Sequence, residues 1–123
     1  MEPDSKSAIA LAHLRLPVTD LATAIRFFEA LGGSADVRQD KFAVVALQDR
    51  TRIQLTVTEA GAAAGPDLQF DFRVGDIDAA WRDYDAKGLN PAAITRQNPG
   101  HDFFILLGPD GSEVKINGGY KSG

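Results

Sequence analysis

The chain has 123 residues, ample for one domain with a hydrophobic core, and its formal net charge of -4 without any basic run argues against nucleic acid as a partner. It contains no cysteine, which excludes disulfides, thiolate metal sites and thiol nucleophiles. No apolar run reaches the length of a membrane span, and the polar, acidic start is not a secretory signal, so the expectation is a cytoplasmic protein with no membrane partner.

Residues 1–7 read as a loose tail. Residues 8–18 suit a strand with Leu14, Leu16 and Val18 on one face and His13, Arg15 and Pro17 on the other. Asp20 is a good N-cap, because its carboxylate accepts the free N–H groups of a first helical turn. Leu21, Ile25 and Phe28 then form a helical stripe that Gly32 and Gly33 end. A weak strand over 34–38 and a strong one over 42–47 follow. A turn at 48–51 leads to residues 52–58, where Ile53, Leu55 and Val57 alternate with Arg52, Gln54, Thr56 and Thr58. Residues 59–66, EAGAAAGP, have the only linker-like composition in the chain.

The second half restarts. Residues 68–74 form a strand with Phe70, Phe72 and Val74 on the core face and Gln69, Asp71 and Arg73 opposite. Asp76 caps a helix striped by Ile77, Trp81 and Tyr84, and Gly88 stops it. A weak strand over 91–96, a loop over 97–102, a strand over 103–107, a tight turn over 108–112 and a last strand over 113–117 complete the pattern, with 118–123 as tail.

The two halves say nearly the same thing. HLRLPVTDLATAIRFFEALG (13–32) lies over QFDFRVGDIDAAWRDYDAKG (69–88), and FAVVALQDRTRIQL (42–55) lies over FFILLGPDGSEVKI (103–116). The fold class is therefore α+β: two tandem βαβββ modules, about 8–58 and 67–117, joined by the 59–66 linker within a single domain over 1–123. One sheet with one helix leaves its other face bare, so the expectation is that two units turn those faces toward each other around a shared cleft. The cleft would pair units of one chain, or units exchanged between two copies.

Alternation names the cleft residues: His13, Arg15, Arg52 and Gln54 from the first unit, and Gln69, Asp71, Arg73, Glu113 and Lys115 from the second. A merely solvated sheet face would carry the same polarity, and the duplication is what favours a ligand site. The cations outnumber the acids on this face of an acidic chain, which suits an anionic small molecule near Arg15, Arg73 and Lys115. His101 reads as a surface histidine in the 97–102 loop, which would border the cleft mouth, and Phe28, Trp81 and Tyr84 read as core.

The repeated unit, the junctions VTDL and VGDI, and the PDG turn before the last strand resemble the vicinal oxygen chelate superfamily, which includes glyoxalases, extradiol dioxygenases and bleomycin-resistance proteins. The resemblance spans roughly residues 8–117 and implies a homodimer. It also implies a divalent metal held by four side chains, at positions matching His13, Gln54, Gln69 and Lys115. The set departs from that pattern. The two glutamines offer only neutral amide oxygens, and an ammonium has no lone pair and repels a cation. Asp71 and Glu113, two residues away along their strands, would be the substitutes in a rearranged site. The expectation is a degenerate site with no cofactor, in a metal-independent binder of a small anionic molecule. The alternative is a divalent-metal-dependent lyase, isomerase or dioxygenase of the vicinal oxygen chelate type, in which His13, Gln54, Gln69 and Glu113 would serve the metal.

Overall fold

The computed structural model describes residues 12–48, 51–60 and 69–122, with Gln69 and Phe70 described by their backbone alone. The expected linker lies mostly outside these residues, as do the tail at 1–7 and part of the 48–51 turn.

The period-two alternation of the first unit produces β1 (His13–Val18), in which Leu16 and Val18 are fully buried while His13 and Arg15 are exposed. Asp20 caps α1 (Leu21–Ala30) by accepting from the Thr23 N–H at 3.1 Å. Three strands follow, β2 (Ser34–Arg38), β3 (Phe42–Ala46) and β4 (Arg52–Val57). They assemble in the order β1-β4-β3-β2, with β1 parallel to β4 and the other pairs antiparallel. The buried face, from Leu16, Val18, Ala43, Val45, Ile53 and Leu55, packs under Ala24, Ile25 and Phe28 of α1.

The second unit repeats this plan. β5 (Gln69–Arg73) leads to α2 (Ile77–Ala86), where Asp76 accepts from the Ala79 N–H at 3.0 Å. β6 (Gly100–Leu107) and β7 (Glu113–Lys121) flank a 3-10 turn at Pro109–Gly111. The sheet order is β5-β7-β6, with β5 parallel to β7 in the way β1 is parallel to β4.

Three expectations are corrected here. The strand expected over 91–96 is a single bridge, Thr95 with Phe103, plus one bond from the Ala92 N–H to the Ile105 carbonyl at 3.0 Å. Pro91 has no N–H to give a ladder, and the segment is instead held to α2, where the Trp81 indole N–H donates to the Ala92 carbonyl at 2.8 Å. The 97–102 segment is not wholly a loop, because β6 already starts at Gly100 and takes in His101 and Asp102. The segment expected as tail over 118–123 is largely strand, because β7 continues through Gly118 and Gly119 to Lys121. Gly118 belongs inside that strand for a steric reason: a side chain there would press on Ile77 at 3.3 Å.

The units meet through their helix sides. Phe28 of α1 stands edge-on to Phe72 of β5, with ring centroids 6.5 Å apart. Tyr84 donates its hydroxyl to the Leu31 carbonyl at 3.4 Å, and Lys87 donates to the Ala30 carbonyl at 2.7 Å, so the second helix satisfies carbonyls that the end of α1 leaves open. At the other side of the junction the Asp110 carboxylate accepts from both the backbone N–H and the hydroxyl of Thr19. The buried residues of both units join in one hydrophobic cluster. Within a single chain, then, the contacts between the units come from their apolar sides, and His13, Arg15, Asp71 and Arg73 stay exposed. Burial of apolar side chains from both units in one cluster is what holds them together.

Candidate functional site

The outer face of the first sheet carries His13 and Arg15, both exposed, with Arg52 and Gln54 half-buried beside them. Parallel pairing of β1 with β4 sets His13 next to Arg52 and Arg15 next to Gln54. The outer face of the second sheet carries Asp71 and Arg73 on β5 and Glu113 and Lys115 on β7, with Gln69 next to Glu113 and Asp71 next to Lys115 in register. The nine residues therefore form two clusters, one per unit, at matching places in the repeat.

An open groove of about 920 Å³ runs between the units. Asp71, Arg73 and Lys115 line it, and so do Leu14, Gln48 and Thr51 from the first unit. His13, Arg15, Arg52, Gln54 and Glu113 do not. The groove therefore joins Asp71, Arg73 and Lys115 of the second cluster to the end of the first unit, but not to the first cluster. The Gln69 side chain lies outside the described residues.

The charges on the groove wall are not neutralised internally. Although Asp71 and Lys115 are register neighbours, no ion pair forms between them among the described residues. The Lys115 ammonium instead lies over the Phe103 ring, 4.3 Å from its centroid, where the π face attracts a cation without neutralising it. Arg73 likewise has no carboxylate partner among the described residues. Tyr84 also reaches this groove, and burial, followed by the nearby Asp83 charge, raises its phenol above the ordinary value.

The sequence reads His101 as a surface histidine on a loop bordering the cleft mouth. It does line the groove, but half-buried and on β6 rather than in a loop. Its Nδ1 is 2.7 Å from the Gly118 carbonyl, and its ring stands edge-on to Tyr120 at 5.4 Å. Gly100, at φ 127°, and a register shift between His101 and Phe103 turn it there. The NPG run just before it was the available signal, since a turn so close to a strand start marks a place where a bulge re-aims a side chain.

Behind the groove, Asp102 accepts from the Gln97 N–H at 3.0 Å and pairs with Lys121 at 2.7 Å and Arg96 at 3.0 Å. Lys121, then the Gln97 N–H and Arg96, hold its carboxyl far below the usual carboxylate range. Arg96 also grips Asp78 of α2 at 2.7 Å, which ties the segment before β6 to the helix.

The metal set implied by the resemblance does not fit the donors present. Lys115 supplies a cation where a ligand is needed, and Gln54 brings only a neutral amide. No group of three or more His, Asp or Glu side chains able to hold a metal ion occurs among the described residues.

A family model described as "Glyoxalase/Bleomycin resistance protein/Dioxygenase superfamily" matches residues 10–116. The chain belongs to that superfamily. Among solved structures, this superfamily member is similar to lactoylglutathione lyase from Agrobacterium tumefaciens, at TM-score 0.75 and 16% identity over 93% of this chain and 96% of that one. It is also similar to the bleomycin resistance determinant encoded on transposon Tn5, at TM-score 0.73 and 18% identity over 89% and 98%. A third similar structure is the bleomycin-binding protein of Streptomyces verticillus complexed with copper(II)-bleomycin, at TM-score 0.69 and 22% identity over 92% and 98%. These likenesses establish the glyoxalase/bleomycin-resistance-like fold. No curated protein matches the sequence significantly. No helix among the described residues is long and apolar enough to cross a membrane.

Proposed function

We propose that this protein is a metal-independent binder, not a catalyst, that holds a small anionic molecule against the outer face of its second unit. The observation that carries this reading is Lys115. It sits where the family resemblance implies a metal ligand, yet it brings a positive charge to a groove wall that already holds Arg73. Neither cation has a carboxylate partner among the described residues. With Asp71 as the one carboxylate lining the groove against these two cations, the wall keeps a net positive charge, which attracts a carboxylate or phosphate and disfavours a divalent ion. The groove's volume, about 920 Å³, suits a drug-sized ligand. Structural neighbours include proteins described as binding bleomycin, which is consistent with a binding role on this fold.

The open outer faces support a homodimer in which the first unit of one copy faces the second unit of the other. That pairing would bring His13, Arg15, Arg52 and Gln54 to the same pocket as the second cluster. Elemental analysis of the purified protein tests the metal claim. The expected result is no stoichiometric divalent ion, and carboxylate ligands should raise the melting temperature in the presence of a chelator. A bound divalent ion that disappears in His13→Ala would overturn the proposal.

A further inference from the structure

The strongest feature outside the nine residues read from alternation is His101. Its Nδ1 is 2.7 Å from the Gly118 carbonyl oxygen, which can only accept. The proton of a neutral ring therefore resides on Nδ1, and Nε2 is left with a bare lone pair. Nε2 has no hydrogen-bond partner among the described residues. The ring is held on its other side by the edge-on contact with Tyr120, and His101 shares the groove with Lys115 and Arg73. The chain thus places one acceptor of defined tautomer in the same groove as two cations.

We infer that His101 is a ligand-binding residue of this groove, and that the ligand is a hydroxy acid. Its carboxylate would meet Lys115 and Arg73, and its hydroxyl would donate to Nε2 of His101. A neutral hydroxyl suits that place better than an ammonium, which Lys115 and Arg73 would repel. This inference rests on the proposed anion-binding role and adds the second functional group that the ligand must carry.

Mandelate and phenylacetate differ by a single hydroxyl and serve as probes, titrated into the full chain and followed by NMR. The wild type is expected to bind mandelate roughly fivefold to tenfold more tightly, the ratio that one net hydrogen bond gives. His101→Phe, which keeps the ring against Tyr120, should remove that preference. His101→Asn, whose side-chain amide can still donate to Gly118, should remove it too without the loss of the Gly118 contact. Equal binding of the two probes by the wild type, or a preference that survives in both variants, overturns the role of His101 and leaves the anion site standing. Failure of both probes to bind sinks both. A long-range proton–nitrogen spectrum gives an independent reading: only two histidines are present, and the His101 signal should report a protonated Nδ1 and a bare Nε2. The opposite tautomer would contradict the inference.

Discussion

Phe28 is where the two units of the repeat are joined, and its replacement gives a quantitative test of how they pack. The ring is fully buried and touches Phe72 edge-on at a centroid distance of 6.5 Å, near the outer limit for an aromatic pair. Phe28→Leu keeps an apolar branched side chain but removes ring carbons. At roughly 0.8 kcal/mol for each methylene-sized group lost from a core, the cost is about 1.5–2.5 kcal/mol. Melting entropy near 2.1 cal/mol/K per residue amounts to about 0.26 kcal/mol/K for this length, so the melting temperature should fall by about 6–10 °C. The informative number is the coupling with Phe72→Leu. Edge-to-face pairs add about 0.5–1.5 kcal/mol beyond buried area, and the long centroid distance places this one near the lower end. Urea unfolding followed by the single tryptophan, Trp81, measures the wild type, both single variants and the double variant. A coupling of about 0.5 kcal/mol or more is expected. Strict additivity of the two substitutions would refute packing of the units through their helix sides.

Other expectations follow from single contacts. Asp102 has a depressed folded-state pKa, so its contribution to stability is fully present above the ordinary carboxylate value and is lost as pH falls from there through the depressed one. Asp102→Asn should flatten the acid limb of a stability-against-pH curve, and an unchanged limb would count against the Arg96–Asp102–Lys121 cluster. Asp110 holds a left-handed backbone at φ 57° while accepting from Thr19. Asp110→Gly should therefore be milder than Asp110→Ala in a thermal melt, since glycine loses the hydrogen bonds but not the backbone fit. Gly33→Ala should cost more than Gly119→Ala, because a methyl group at Gly33 would stand 2.7 Å from Val45 whereas the space at Gly119 is open and its backbone is not left-handed. Equal melting temperatures for the last pair would be inconsistent with the described core.

Much of this was readable before any coordinates. The two Asp caps, both helical stripes and the alternation in β1, β4 and β5 depend on local periodicity, which a sequence carries directly. The faces followed from the same alternation: Leu16, Ile53 and Leu55 are buried, and His13, Arg15, Asp71 and Arg73 are exposed. What the sequence hid depends on contacts distant along the chain. Gly118 reads as the start of a tail, yet β7 continues through it, packed closely against Ile77. His101 reads as loop because NPG precedes it, and its place in the groove comes from a bulge and a bond to Gly118 on a neighbouring strand. The way the units pack was equally hidden, because alternation shows which face is apolar but not which partner covers it. That choice fell to Phe28, Phe72 and Tyr84, which lie far apart in the chain.

The central claim is that cations, and no metal, hold the ligand, and titration of phenylacetate by isothermal calorimetry tests it most directly. Wild type and Lys115→Met would be compared with and without a strong chelator. The expected result is binding that ignores the chelator and weakens about tenfold or more when the ammonium is removed, the scale of a charge-assisted hydrogen bond. Binding abolished by the chelator, or unchanged in Lys115→Met, would contradict it.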